Sequence, residues 1–292
     1  MSLRQATMRL LGLCAVLAAP LHAQGTLTIV PAQPLPGAIV QLTLSGVRAA
    51  GDSVVGVRGT MAGEPLHFVA APGGGFHAIG AVPVDSTTTV VASAIVDHAS
   101  GRVDTLHASV EPPPLPPPSE QLAVAPRFGQ PLDAATAARV DRENARAVEV
   151  GRRSHDSPEM WSAPFMRPRS TEVTSGFGTG RTFNDEVTSR HLGVDFRGAA
   201  GAPVQAANRG VVALVDTFFL GGRVVYVDHG GGIVTGYFHL SKPLVAMGDT
   251  VARGQTIGLV GATGRVTGPH LHWAARYGAL TVNPIDLLNL EP

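Results

Sequence analysis

A run of seven residues, PPPLPPP at positions 112–118, constrains the architecture of this chain more than any other segment. Proline lacks a backbone N–H and has a fixed φ, so such a run neither continues a helix nor pairs within a sheet. At about 3.1 Å per residue it should form a stiff polyproline spacer of about 20 Å. The 292-residue chain is therefore predicted to hold one domain on each side of this spacer.

Residues 1–23 have the features of a secretory signal peptide. Arg4 and Arg9 precede an apolar run at 10–19, and Leu21-His22-Ala23 provides a cleavage site. Ten apolar residues are too few for a membrane span, which needs about 20. We therefore expect cleavage of the signal, export to the periplasm or the extracellular space, and no membrane span in the mature chain.

The composition of the mature chain excludes several kinds of chemistry. The single cysteine of the full sequence, Cys14, lies in the predicted signal, so the mature chain has none, and disulfides and thiol catalysis are excluded. Removing the signal leaves 20 basic and 22 acidic residues. Because no basic stripe accompanies this balance, a nucleic-acid partner is not expected. Lys242 is the only lysine, which argues against a lysine-centred mechanism.

Residues 24–110 alternate short β-type runs with turn residues about every ten positions, a pattern typical of a small β-sandwich. The segment at 74–85 looks like part of an immunoglobulin-like domain. We expect this domain to position the chain or to bind the cell wall or a protein partner.

Residues 111–163 combine the proline-rich spacer with a predicted linker helix from Asp133 to about Val150. Asp133 can cap the start of the helix, and Ala137, Val140 and Ala147 lie on a loose apolar stripe. A solvated helix and a helix packed on the C-terminal domain are both compatible with this pattern. His155, beyond the helix, has no predicted partner.

Residues 164–292 are rich in β-type runs and in glycine, and few segments have helical periodicity. The runs 224–227 and 233–239 flank the turn Asp228-His229-Gly230-Gly231-Gly232, which predicts a β-hairpin. The sequence therefore predicts an antiparallel β domain.

This domain also contains closely spaced histidines and a carboxylate. His191 and Asp195 occur in HLGVD, and His270 and His272 occur in GPHLHW. Within a strand, residues two and four apart share a face, although a helix would also bring His191 and Asp195 together. Gly193 would leave room for a metal ion. Two imidazoles and one carboxylate are a familiar ligand set for catalytic zinc, with the fourth position left for water.

His239, in GYFHL, lies between these two motifs and should share a strand face with Tyr237. Two histidines would then remain to transfer protons. The combination predicts metal-assisted hydrolysis.

The stretch from about Phe165 to Leu288 resembles the catalytic domain of lysostaphin-type (LytM-like) zinc endopeptidases, which cut peptide cross-links in peptidoglycan. The matching segments occur in the family's order over about 125 residues: TSGFG at 174–178, HLGVDF at 191–196, APVQAANRGVV at 202–212, GYFHL at 236–240, GDTVARGQTIGLVGATG at 248–264 and TGPHLHW at 267–273.

The resemblance implies a duplicated-hybrid-motif fold, an antiparallel β architecture similar to lipoyl-carrier domains. It also implies one Zn²⁺ per catalytic domain, with His191, Asp195 and His272 as ligands. His239 and His270 would be the catalytic histidines. His270 would accept a proton from water and deliver it to the leaving amine, whereas His239 would orient the water or bind the oxyanion.

We therefore predict a secreted zinc metalloendopeptidase that hydrolyses cross-links or stem peptides of bacterial peptidoglycan. The alternative is a non-enzymatic regulator of other cell-wall hydrolases, which the presence of all five site residues disfavours. A carrier domain is excluded, because Lys242 precedes a proline and is not at a hairpin tip. A Gly-Gly bridge and a D-amino-acid cross-link are both open as the bond that is cut.

Overall fold

The computed structural model describes residues 25–48 and 51–291. The predicted signal peptide at 1–23 lies outside these residues. The structure is mainly β, with 45% of its residues in strands that pair antiparallel in all but one case, which confirms the predicted fold class. No helix in the described ranges is long and apolar enough to cross a bilayer.

The N-terminal part forms two four-stranded antiparallel sheets, of order β1-β2-β6-β5 and β4-β3-β7-β8. Their strands are β1 Thr26–Val30, β2 Ile39–Ser45, β3 Val54–Met61, β4 Glu64–Leu66, β5 Val69–Ala70, β6 Phe76–Ala81, β7 Val90–His98 and β8 Val103–Val110. Alternate residues, such as Leu42, Leu44, Ala92 and Ala94, face one shared apolar core. The immunoglobulin-like character of this domain stays a prediction.

The linker contributes a strand to the C-terminal part. Residues Pro118–Leu122 form β9, which pairs in parallel with β11 (Gly180–Phe183). Pro118, the last residue of the proline run, is the first residue of this strand, a position where the missing N–H is tolerated. The prediction that the run cannot pair in a sheet is therefore wrong for Pro118. A short 3₁₀ turn, Pro126–Phe128, follows.

Helix α1 spans Ala134–Ser154, and its predicted cap is confirmed because Asp133 accepts a hydrogen bond from the Thr136 backbone N–H at 2.9 Å. Ala147 and Val150 are buried against an apolar cluster on the C-terminal sheet that includes Leu214. Of the two arrangements compatible with the sequence, the structure shows the packed helix. It extends four residues beyond the predicted end.

His155 follows this helix and has two close partners from the N-terminal sandwich. Its Nε2 lies 3.0 Å from Oε2 of Glu64, and its Nδ1 lies 2.8 Å from Nε2 of His67. The Tyr277 hydroxyl of the C-terminal part donates to the Pro65 carbonyl at 2.6 Å. The sequence indicated no partner for His155 because its partners lie about 90 residues earlier in the chain.

The C-terminal part is built on an eight-stranded antiparallel sheet of order β10-β13-β21-β17-β16-β15-β19, with β22 also paired to β21. Two three-stranded sheets, β12-β11-β9 and β14-β20-β18, complete it. The strands are β10 Val173–Ser175, β11 Gly180–Phe183, β12 Val187–Arg190, β13 Val194–Arg197, β14 Pro203–Gln205, β15 Gly210–Phe218, β16 Gly222–Gly230, β17 Ile233–Leu240, β18 Lys242–Pro243, β19 Thr250–Val251, β20 Thr256–Leu259, β21 His270–Tyr277 and β22 Leu280–Val282. A 3₁₀ turn at Pro284–Asn289 ends the domain.

The predicted hairpin is strands β16 and β17, joined at Gly231 and Gly232, which both have positive φ. Strand β21 pairs with β17 on one side and β13 on the other. Its Leu271 and Trp273 are fully buried in the core. The intervening residues His270 and His272 therefore lie on the opposite face, where β13 and β17 meet them.

Candidate metal and catalytic site

Three predicted residues converge at the junction of β13 and β21. Asp195 is paired directly with His272 across the two strands, and His191 precedes β13. Oδ1 of Asp195 lies 3.0 Å from Nε2 of His191 and 2.9 Å from Nδ1 of His272, and these two nitrogens are 2.9 Å apart. We call these three residues the triad.

The orientation of His191 is set by the backbone of its own neighbourhood. Its Nδ1–H donates to the carbonyl of Gly176 at 2.8 Å, so the lone pair of Nε2 faces the other two triad atoms. Its backbone N–H donates to the carbonyl of Thr179 at 2.8 Å, in irregular chain between β12 and β13. His191 is thus in neither a strand nor a helix.

Gly193 leaves room, but for a side chain of the site and not directly for an ion. A Cβ at this position would lie 2.5 Å from Cε1 and 2.6 Å from Nε2 of His272. The space beside Gly193 is therefore filled by the His272 imidazole. The sequence led us to expect room for a metal ion at Gly193, whereas the structure places the His272 ring there.

The protonation states of Asp195 and His272 suit the binding of a metal cation. Burial opposes ionisation of Asp195, but the adjoining imidazoles of His191 and His272 hold the pKa of its carboxyl far below the usual range. Burial lowers the pKa of His272 to about 4, despite the opposing influence of Asp195. Near neutral pH the site therefore presents a carboxylate and a neutral imidazole, which are the forms that bind metals.

The remaining two histidines, His239 and His270, lie beside the triad with their ring centroids 4.9 Å apart. Nδ1–H of His270 donates to the carbonyl of Gly268 at 2.9 Å, and its Nε2 lies 3.6 Å from Oδ1 of Asp195. Nδ1–H of His239 donates to the carbonyl of Thr263 at 2.8 Å. Because both Nδ1 atoms carry a proton, Nε2 is the atom of each ring that can accept or release one.

His239 has an unusual backbone conformation for a strand residue, with φ of 60°. Left-handed non-glycine residues often occur at functional sites, where the surrounding structure offsets their strain. Here the left-handed conformation of His239 breaks the alternation of side chains along β17. Tyr237 is buried in the core, whereas His239 reaches the site beside Phe238. The expectation that His239 and Tyr237 share a face is therefore wrong.

Two side chains that the sequence did not point to as site residues adjoin the triad. Arg181 donates from Nη2 to Oδ2 of Asp195 at 2.6 Å and from Nε to Oε2 of Glu120 at 2.8 Å. Glu120 also accepts from the Ser175 hydroxyl at 2.7 Å. Arg181 thus leaves Oδ1 of Asp195 free to face the two imidazoles. Glu120 belongs to the linker strand β9, so no motif of the C-terminal domain could reveal it.

Two clefts meet at this site. The first, of about 430 Å³, runs along helix α1 and includes His191, His272 and Phe238. The second, of about 410 Å³, includes Asp195 and His270. His239 lines both clefts. Together they provide a path for an extended ligand across the triad.

Other conspicuous polar residues have structural roles. His229 is fully buried, donates from Nδ1 to the Arg209 carbonyl at 2.7 Å, and lies 2.8 Å from the Thr235 hydroxyl. Burial lowers its pKa to about 4. The Tyr237 hydroxyl accepts from the Ala207 N–H at 2.7 Å, and burial raises its pKa to about 12.

The comparisons with known proteins identify the domain that carries this site. Residues 189–284 match the model of Peptidase family M23. The C-terminal domain belongs to this family. The matched range of the M23 domain contains all five predicted site residues.

Individual relatives are similar over different lengths. "Peptidoglycan DD-endopeptidase ShyA" of Vibrio cholerae is 49% identical over 90 residues, which are 30% of this chain and 21% of the relative. "DD-carboxypeptidase/endopeptidase Mpg" of Neisseria meningitidis is 41% identical over 117 residues, 40% of this chain and 27% of the relative. The chain therefore spans less than a third of the length of these curated relatives.

A solved structure resembles nearly the whole chain. A putative peptidase M23 from Pseudomonas aeruginosa superimposes with a TM-score of 0.65 at 28% identity, covering 88% of this chain and 95% of that one. The two-part arrangement of an M23 domain with a preceding β-rich part thus also occurs in that protein's fold.

The donor set of the M23 domain fits a single zinc ion. Two imidazole nitrogens and a carboxylate oxygen lie 2.9–3.0 Å from one another. Tetrahedral ligands at zinc distances of about 2.0–2.1 Å are separated by about 3.3 Å, so small movements would complete the geometry. A cation between these atoms would be coordinated by the Asp195 carboxylate and the Nε2 lone pair of His191, and by Nδ1 of His272 in the tautomer that carries its proton on Nε2.

Proposed function

We propose that this chain is an exported zinc metalloendopeptidase that hydrolyses peptide bonds in bacterial peptidoglycan. One observation carries the proposal: a His-Asp-His set, with His191 and Asp195 buried and His272 half-buried, adjoins two further histidines that each hold their Nδ1–H on a backbone carbonyl. The family and the names of the relatives support peptidoglycan as the substrate.

In this proposal His191, Asp195 and His272 hold the metal. A bound zinc ion would polarise the scissile carbonyl and lower the pKa of water toward neutrality. Arg181 would keep the Asp195 carboxylate oriented with Oδ1 toward the imidazoles.

The two other histidines would divide the proton transfers according to their surroundings. Burial, together with the nearby His272 and His270, holds the pKa of His239 well below its usual value, so His239 stays neutral and orients water through Nε2. His270 is more exposed. Its Nε2 would take the proton of the attacking water and give it to the leaving amine when the C–N bond breaks.

The first test is mass spectrometry of fragments released from purified sacculi by the zinc-loaded protein, with a chelated control. We expect new amino termini at one type of peptide bond, lost on chelation. Release of no fragments by zinc-loaded protein would contradict the proposal and favour the regulator.

Substitutions separate the catalytic histidines from the ligands. His270→Ala should lower the rate by about 10²–10⁴-fold, the usual contribution of general acid–base catalysis, while zinc content stays at one per chain. His272→Ala should lose both. The exposed His107 of the sandwich supplies the control, since His107→Ala should change neither.

We also propose that the N-terminal sandwich binds the cell wall or a protein partner and places the M23 domain on its substrate. The contacts of Glu64 and Pro65 with the M23 domain support a defined placement. Sacculus pull-down of the full chain and of a chain lacking 24–110 should show stronger retention of the full chain. Fractionation of cells tests export, which predicts the protein in the periplasm or medium.

A further inference from the structure

Arg265 is an arginine of the site region that the catalytic proposal does not use. It lies in the loop between β20 and β21, where its backbone N–H donates to the Leu220 carbonyl at 2.8 Å. Its guanidinium carbon is 4.0 Å from the centre of the Phe183 ring. The same loop contains Thr263, whose carbonyl holds His239. The position of Arg265 is therefore coupled to that of the catalytic machinery.

The charge of Arg265 has no carboxylate partner among the residues that the structure describes. In the ranges 25–48 and 51–291, no carboxylate oxygen lies within 4.0 Å of its guanidinium. Its side-chain hydrogen bond is a long one, 3.5 Å from Nη2 to the Ser189 hydroxyl. Neighbouring Arg181 differs, because it is paired with both Glu120 and Asp195.

The surroundings make this cation costly. Burial, and secondarily the like charge of Arg181, lower the pKa of Arg265 to about 10. It stays protonated at neutral pH even so. A partly buried cation without a counter-ion is destabilising unless an anion is supplied from outside.

Arg265 also lies where a substrate would pass. It lines both the first and the second cleft, as does His239. A chain crossing the triad from one cleft to the other would therefore contact Arg265 within a short distance of the reacting bond.

We propose that Arg265 binds a free carboxylate of the substrate beside the scissile bond, and so selects acidic stem peptides over neutral bridges such as polyglycine. The planar guanidinium can donate two parallel hydrogen bonds to a carboxylate, while Phe183 supports its other face. This inference rests on the proposed peptidase function and names the substrate class for the same site.

The magnitude follows from the type of contact. A hydrogen bond to a charged group contributes about 1.5–3 kcal/mol, which corresponds to a rate or affinity ratio of about 10- to 100-fold. We therefore expect the zinc-loaded full chain to cleave a cross-linked peptide with a free carboxylate next to the scissile bond about 10–100 times more efficiently than the same peptide amidated.

Substitutions of Arg265 test whether this residue causes the preference for the free carboxylate. In Arg265→Gln the acid-to-amide ratio of kcat/KM should fall to about one. Arg265→Lys keeps the positive charge but cannot donate two parallel hydrogen bonds, so it should give an intermediate ratio. Arg197→Gln is the control, because Arg197 lines the second cleft but is already paired with Glu172, so the ratio should not change. An unchanged ratio in Arg265→Gln would overturn the proposal.

A binding measurement separates this proposal from the peptidase activity itself. Calorimetric titration of both peptides into zinc-loaded His270→Ala protein, with and without Arg265→Gln, measures the carboxylate contact when cleavage is suppressed. Tighter binding of the acid peptide that disappears in Arg265→Gln supports the contact even if the unsubstituted protein cuts neither peptide, a result that would overturn only the peptidase function. Equal binding of both peptides would overturn the contact.

Discussion

Replacing Gly193 by alanine tests whether the space beside this residue sets the metal geometry. The added Cβ would lie 2.5 Å from Cε1 of His272 and 2.6 Å from the Trp273 carbonyl oxygen. Ordinary contacts of this kind are about 3.4–4 Å. The His272 ring or strand β21 must therefore move by about 1 Å.

A displacement of this size has two measurable effects. Misplacing a reacting group by about 1 Å can lower a rate by about 10²-fold. Overpacking of a close-packed site also lowers the free energy of unfolding by about 1–3 kcal/mol. We therefore expect Gly193→Ala to remain folded with substoichiometric zinc and a rate of fragment release at least about 100-fold below that of the unsubstituted protein.

The assay combines zinc content by mass spectrometry, near-UV circular dichroism and the rate of fragment release. Gly56→Ala in the sandwich is the matched control, because its Cβ would meet only the Asp97 side chain at 3.5–4.0 Å. Full zinc content and an unchanged rate in Gly193→Ala would refute the argument that His272 needs this space.

Three further perturbations probe the linker, the core and the helix. Glu120→Ala removes a partner of Arg181 and should lower zinc affinity or activity by about 10-fold, measured by competition with a chelator; unchanged affinity would contradict a role for β9. Burial lowers the pKa of folded His229 to about 4, against an ordinary value of 6.5. As the pH falls from 6.5 to 4, the unfolded chain is therefore protonated before the folded one, and the free energy of unfolding decreases by about 3 kcal/mol in total. In His229→Gln, urea unfolding at pH 7.5 and pH 4 should therefore show a smaller loss, and an equal loss would count against this assignment. Val150→Ala should lower the unfolding free energy by about 2 kcal/mol by thermal denaturation, with exposed Val55→Ala as control; equal effects would argue against helix docking.

Local patterns predicted most of the M23 domain. The shared face of His270 and His272 followed from the period of two of a strand, and the structure shows Leu271 and Trp273 buried on the opposite face of β21. The cap of α1 followed from the chemistry of Asp133 in the same local way. The metal roles of the triad and the catalytic roles of the other two histidines stay predictions until they are tested.

What the sequence could not predict depends on contacts between distant segments or on unusual dihedrals. Glu120 reaches Arg181 across 61 positions through a parallel strand pair that follows a proline run. The left-handed φ of His239 overrides the strand period because the loop at Thr263 holds its ring. No spacing rule encodes either contact.

The parallel pairing of β9 with β11 has a practical consequence for dividing this protein. A fragment that begins at residue 164 would lose β9, leave the outer edge of β11 without its hydrogen-bonding neighbour, and uncover the apolar sheet surface beneath α1. Unprotected strand edges and exposed apolar surface promote association between copies. Such a fragment should aggregate on expression, whereas a fragment that begins at residue 111 should stay dispersed.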